Sequence, residues 1–354
     1  MSTFSMNRRK FGRGLAAGIA LQLGLALPLL PGAAHAGSIV VATFPNEWED
    51  AYRKIITPIL AAEGTELTIA PALTTLQIAN TLAASKAGAP PPYDALLLSP
   101  GDTAVAKDND LIVKIDPSKL KNWSKLDPQF RTDYGPVVTV QFCGIGYNPD
   151  LVPKPSGYKV LFEDPAYKGK VAFNSFESNT EIMAFSEIAR AFGKGPMDMD
   201  ALFKLFREKR DWIGPIVDTT QHEMTMFQQK EIAVFMACMN NISLLQSLGV
   251  HAEFAAPETG VPAVPVVIHM TKGTKNPDGV YQYMDAAIDA EVQRTLMAPP
   301  LENFPTNVDV DLSDSIKRFV TKDKVKDFVY LDWVTVAKHR AEWAKAYDRA
   351  VKGE

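Results

Sequence analysis

The side chains best placed to do chemistry in this 354-residue chain are neutral hydrogen-bonding groups at the ends of apolar runs. Ser99-Pro100-Gly101-Asp102 follows Ala95-Leu96-Leu97-Leu98, Asn174-Ser175 follows Val171-Ala172-Phe173, and Asn240-Asn241 follows the run from Glu231 to Met236. Hydroxyls and amides hold and orient a polar molecule through donors and acceptors. Reactive signatures are missing. There is no G-x-S-x-G elbow and no Walker loop, and Gly144-Ile145-Gly146 and Gly193-Lys194-Gly195 each lack the third glycine of a dinucleotide loop. His222, His251, His269 and His339 show no ligand spacing, and His222-Glu223-Met224 does not continue to the second histidine of a zinc-binding helix. No catalytic residue, metal or cofactor is therefore expected. Scattered carboxylates acting as acid and base are the enzyme alternative that motifs leave open.

The elements that must position these residues follow from periodicity. Ser38 to Phe44 predicts a strand, Trp48 to Glu63 a helix, and Leu67 to Pro71 a strand. Thr74 or Thr75 caps a helix running to about Lys86, which Gly88-Ala89-Pro90-Pro91-Pro92 stops; Tyr93 to Ser99 then reads as a strand buried on both faces. A second α/β unit begins after Val137 to Phe142. It holds the strand Val171 to Phe173, a capping box at Ser178-Asn179-Thr180-Glu181, the strand Glu231 to Met236 and a helix to Leu248. Val261 to Met270 is extended and returns toward the first unit. The fold class is α/β, with two lobes, each a mainly parallel sheet flanked by helices, and crossed connections. Such sheets bind ligands beyond the strands' carboxyl ends, where Ser99 stands. Asp102 is also explained as a plain helix cap.

Composition agrees with a water-soluble globular chain of about two domains: 46% apolar, 22% charged, net charge −4. No basic excess suits phosphate backbones, so nucleic acid is not an expected partner. The only four basic residues before position 37 are Arg8, Arg9, Lys10 and Arg13. They precede an apolar stretch from Leu15 to Leu30 and the small residues Ala34-His35-Ala36. That order predicts a cleaved export signal over 1–36 and a periplasmic mature chain. Asn7-Arg8-Arg9-Lys10-Phe11 is similar to the twin-arginine signal, although Asn7 and Gly12 depart from it and leave general secretion open. The two cysteines, Cys143 and Cys238, exclude a disulfide framework; each reads as a small buried thiol in an apolar strand, with their pairing left open.

Gly146-Tyr147-Asn148-Pro149-Asp150-Leu151-Val152, followed by Asp164-Pro165-Ala166-Tyr167-Lys168-Gly169-Lys170-Val171, resembles the periplasmic solute-binding proteins of ABC importers, in the group that includes spermidine/putrescine and ferric-iron binders. Tyr93-Asp94-Ala95-Leu96, Lys272-Gly273-Thr274-Lys275-Asn276 and Asn303-Phe304-Pro305-Thr306-Asn307 extend the resemblance collinearly over nearly everything after residue 37. It implies the type II binding-protein fold, with lobe 1 from 37–138 plus about 265–302 and lobe 2 from 139–264 plus about 303–354. It implies a monomeric receptor that closes on a small solute and presents it to an inner-membrane permease. Moving a hinge from 1:99 to 99:1 needs about 5.5 kcal/mol of differential binding, against roughly 8 kcal/mol available at micromolar affinity. A protein-interaction or sensor module is the alternative of another class.

The resemblance also bears on the solute. Where polyamine binders carry acidic turns, this chain has Asn174-Ser175-Phe176 and Pro262-Ala263-Val264-Pro265, and the adjacent tyrosine pair of ferric binders is absent. Candidate ligand-binding residues are Asn46, Glu47, Trp48, Ser99, Asn174, Ser175, Asn240 and Asn241, with Phe304 as an apolar wall. Helix amino termini and neutral groups suit a polar organic molecule, including one with a carboxylate. Glu47 and Glu177 keep a polyamine as the alternative. Trp48 is also explained as lobe core, and Asn174-Ser175 and Asn240-Asn241 as a turn and a cap.

Overall fold

Apolar runs punctuated by glycine, proline and helix caps build the chain in the order the periodicity predicts. The computed structural model describes residues 37–176, 178–321 and 328–352; the expected export signal and Glu177 lie outside them. The first lobe opens with β1 (Gly37–Thr43), α1 (Glu47–Ala62), β2 (Thr65–Pro71), α2 (Thr74–Lys86), β3 (Ala95–Leu98) and α3 (Pro100–Asp108). β2, β1 and β3 lie side by side and parallel. Helix α1 buries Trp48, Tyr52, Ile56 and Leu60, one stripe at helical spacing, in the core that Ile39, Val41 and Leu97 of the sheet share.

After β4 (Arg131–Thr132), β5 runs unbroken from Gly135 to Tyr147, well past the Phe142 end that the sequence suggests. The second lobe follows as β6 (Val171–Phe173), α4 (Asn179–Phe192), α5 (Met199–Glu208), β7 (Ile213–Ile216), α6 (Thr220–Gln228), β8 (Val234–Cys238), α7 (Met239–Ser247) and β9 (Glu253–Ala255). β7, β6 and β8 are parallel. β8 starts three residues later than the periodicity suggests, because Lys230 at φ 61° turns the chain out of α6 and leaves Glu231 exposed.

β10 (Val261–Met270) completes the path β2-β1-β3-β10-β5-β8-β6-β7. It runs antiparallel to β3 through Val267 to Met270 and to β5 through Ala263 to Val267. β5 pairs with β10 up to Phe142 and with β8 from Cys143 onward. These two long strands carry the chain between lobes, and their hydrogen-bonded middle is where the sheets meet. The chain ends with α8 (Pro277–Ala287), α9 (Ala290–Met297), β11 (Phe304–Pro305), α10 (Asp314–Lys317), β12 (Phe328–Val329) and α11 (Trp333–Lys352). α8 returns to the first core through Val280, Tyr283 and Met284. α11 contacts both α3 of the first lobe and α5 of the second, and its Tyr347 enters an aromatic cluster with Phe176, Phe185 and Phe206.

The antiparallel register sets Cys143 of β5 directly opposite Cys238 of β8, and the two form a disulfide. Of the two readings that the sequence leaves open for these cysteines, a pair of buried thiols or a bridge, the structure has the bridge. The apolar runs imply burial but no cross-strand register, and register alone brings the sulfurs together.

Candidate functional site

The carboxyl ends of the parallel strands in both lobes face one crevice, where α/β sheets place their ligands. A cavity of about 210 Å³ there is walled by Phe44 after β1, Thr74 and Thr75 at the start of α2, Ser99 after β3, Asn179 and Thr180 at the start of α4, Cys238 at the end of β8, and Arg340 of α11. Gln141, Val264 and Val266 of the crossing strands complete the wall. Side chains alternate along β10, so Pro265, Val267 and His269 line a different cavity, of about 580 Å³, with Tyr134 and Tyr330.

Several polar groups in the crevice are held by the local fold. Ser99 is the extended N-cap residue of α3, and its hydroxyl donates to Asp102 Oδ2 at 2.7 Å while Asn179 Nδ2 reaches it from the other lobe at 3.4 Å. Arg340 Nε donates to the Phe176 carbonyl at 2.8 Å. α2 starts on Leu73, whose carbonyl accepts from the Leu76 and Gln77 N–H groups but whose side chain cannot cap the helix.

A second cavity, of about 300 Å³, sets Asn46 and Glu47 of the first lobe against Asn240, Asn241, Gln221 and Thr225 of the second. Asn46 precedes α1 at φ 64° and makes no capping hydrogen bond. This backbone region is costly for a residue with a side chain and recurs at functional sites. Asn241 Oδ1 accepts from Cys238 N at 2.9 Å, so Asn241 both caps α7 and lines the cavity.

Five of the nine residues expected from the sequence thus line the two cavities: Ser99 in the first, and Asn46, Glu47, Asn240 and Asn241 in the second. The other four line neither. Trp48 is 5% exposed, stacked on Tyr52 at 5.9 Å and set edge-on to Phe44 at 5.2 Å, because its helical spacing turns it into the core. Asn174 is buried; its Nδ2 donates to Glu223 Oε2 at 3.3 Å and its Oδ1 accepts from Ser175 N at 2.7 Å. Ser175 is half-buried in that turn. Phe304 lies in β11 against β5 and packs edge-on to Phe328 at 5.5 Å. Sequence reasoning missed Thr74, Thr75, Asn179 and Thr180 as lining groups, although they follow strands as Ser99 does. Arg340 carries no local signal, since only tertiary packing of α11 brings it to the crevice.

Two carboxyls are buried in the second lobe, Glu181 in the first turn of α4 and Glu223 in α6. Burial pushes Glu181 up to about 8, and burial followed by the charge of Glu181 raises Glu223 well above the usual range. His269 is held down to about 4 by burial, with Nε2 2.9 Å from Thr103 Oγ1 and Nδ1 2.9 Å from the Tyr134 carbonyl oxygen. Among the described residues no group of three or more His, Cys, Asp or Glu could hold a metal ion, and no helix is long and apolar enough to cross a membrane.

Two α/β lobes joined by crossing strands, with cavities at the strand ends, are the architecture of the two-lobed periplasmic binding proteins. An ABC transporter structure from Clostridium perfringens superposes with a TM-score of 0.73 at 20% identity, covering 88% of this chain and 99% of that one. The binding protein MotA from A. tumefaciens B6, in complex with glucopine, gives 0.71 at 16% over 89% and 99%. AfuA from Actinobacillus pleuropneumoniae, with fructose-6-phosphate bound, gives 0.69 at 15% over 89% and 99%. Comparison with curated proteins returned no match. Residues 54–324 match the family model described as bacterial extracellular solute-binding protein, and the chain belongs to that family.

Proposed function

We propose that the mature chain is the periplasmic, monomeric receptor of an ABC importer, exported by its amino-terminal signal, which captures a small polar organic solute between its lobes and delivers it to the inner-membrane permease. The observation that carries this is the crevice itself: strand ends of both lobes converge on it, and hydrogen-bonding groups stand on both walls. Lobe 1 is 37–138 with about 265–302, and lobe 2 is 139–264 with about 303–354. In support, one core draws only on residues from Ile39 to Val138 and from Val266 to Leu301, and a separate core is built mainly from residues beyond Cys143, with Tyr347 and Val351. Closure lets both walls touch the solute at once. Only interactions present in the closed form and missing from the open one shift the balance between them.

A polyamine is the second candidate within this class, favoured by Glu47 in the Asn46/Asn240 cavity. The test is thermal unfolding of the mature chain with libraries of organic solutes, followed by small-angle scattering with the best responder. At 100 times its dissociation constant a solute adds about 2.7 kcal/mol of stability. A melting shift with a smaller radius of gyration is expected. Absence of any shift across sugars, organic acids, amino acids and polyamines would refute solute capture and favour a protein partner.

A further inference from the structure

We propose that the 580 Å³ cavity on the other face of β10 is a second ligand site, one that takes a flat aromatic molecule carrying a carboxylate or similar oxyanion. The proposal does not rest on solute capture in the crevice. Val264 and Val266 of β10 line the crevice, whereas Pro265 and Val267, which alternate with them, line this cavity. Its volume falls within the roughly 300 to 1,000 Å³ of small-molecule pockets, and its walls are of their kind, largely apolar and aromatic with a few polar groups. Three aromatic side chains reach it from separate stretches of chain: Phe130 at the end of the 3₁₀ turn Pro128–Phe130, Tyr134 between β4 and β5, and Tyr330 just after β12. Tyr330 is 44% exposed, leaving ring surface that a bound aromatic body would cover.

Charge selects the headgroup. Lys107 lines the cavity with its Nζ 4.9 Å from the centre of the Tyr134 ring, and Lys114 Nζ stands 5.9 Å from the same ring. Asp133 is the only carboxylate among the lining residues, and Lys114 pairs with it at 2.7 Å. That pair holds Asp133 below the usual carboxylate range, with a lesser contribution from the charge of Lys107. Two ammonium groups thus share one carboxylate, and the balance around the Tyr134 ring is positive. His269 adds nothing to it: burial holds the ring down to about 4, so it is neutral at pH 7, and its nitrogens are engaged with Thr103 Oγ1 and the Tyr134 carbonyl oxygen. A protonated amine would meet that positive balance, whereas an oxyanion gains a charge-assisted hydrogen bond from Lys107 while its aromatic body covers Tyr330 and Val267.

The probe is 2-naphthoate, with 2-naphthalenemethanol and 2-naphthylmethylamine as its neutral and cationic counterparts. Calorimetric titration of the mature chain is expected to show one site for naphthoate, binding of the alcohol at least about tenfold weaker, and none of the amine. In methyl spectra of the same chain, naphthoate should shift the resonances of Val137 and Val267 and leave those of Met183 and Leu244, which line the two crevice cavities, in place. Lys107→Glu should weaken naphthoate at least about tenfold, and Tyr330→Ala about threefold to tenfold. No binding of naphthoate at millimolar concentration overturns the site, and equal binding of the three probes overturns its charge class. Shifts confined to Met183 or Leu244 would put the probe in the crevice and overturn the proposal too. The wild-type spectra locate the probe even if a variant fails to fold, and solute capture stands or falls separately.

Discussion

Asn46 holds a backbone conformation that glycine adopts without strain, yet it is an asparagine and its side chain makes no cap. A side chain kept there at a local cost is best explained by what the amide does in the cavity. Asn46→Gly is therefore expected to keep or raise the melting temperature while weakening solute binding about threefold to tenfold, the worth of one neutral hydrogen bond. Unchanged affinity, measured by titration, would make the strain a folding accident. Among single residues, Ser99 is legible as a cavity-lining position because it directly follows the buried β3, and Asn240-Asn241 because they lie in the first turn of the helix that β8 feeds at the same end of the sheet. Trp48 and Phe304 are not, because an aromatic ring suits a core and a pocket wall equally, and only the turn of α1 and the pairing of β11 with β5 decide between them.

Elements of the first lobe are readable nearly to the residue, since Gly88 to Pro92 and the strand run Ala95 to Leu98 leave little freedom. β5 is not, because a strand that leaves one sheet and enters another stays apolar throughout and shows no break at Phe142. The disulfide between β5 and β8 is a property of that pairing. It closes a loop with a sequence separation of 95, and cross-links of this kind typically contribute about 2–4 kcal/mol. Dithiothreitol is expected to lower the urea midpoint of the mature chain accordingly. An identical midpoint before and after reduction, with free thiols confirmed by labelling, would show the bridge to be energetically idle.

At the scale of the whole molecule, two buried titrations pull in opposite directions. In the folded chain Glu181 keeps its proton up to about 8, whereas the unfolded chain releases it near the ordinary 4.5. Its contribution is therefore complete below about 4.5 and is lost as pH rises toward 8, at on the order of 1.4 kcal/mol per pH unit. His269 works the other way: held at about 4 rather than 6.5, it withdraws stability as pH falls between those values. Glu181→Gln/Glu223→Gln should thus flatten the alkaline side of the stability profile and leave the acid side intact. A double variant whose urea midpoint still falls from pH 5 to pH 8 would place the alkaline loss elsewhere. Another consequence belongs to time. β3 finds its neighbour β10 only after about 160 further residues have been made, and at 5 to 20 residues per second that is roughly 8 to 30 seconds of synthesis. Until then the β3 edge has no β10 to pair with, and α11, which reaches across to α3, is the last described element to be synthesised.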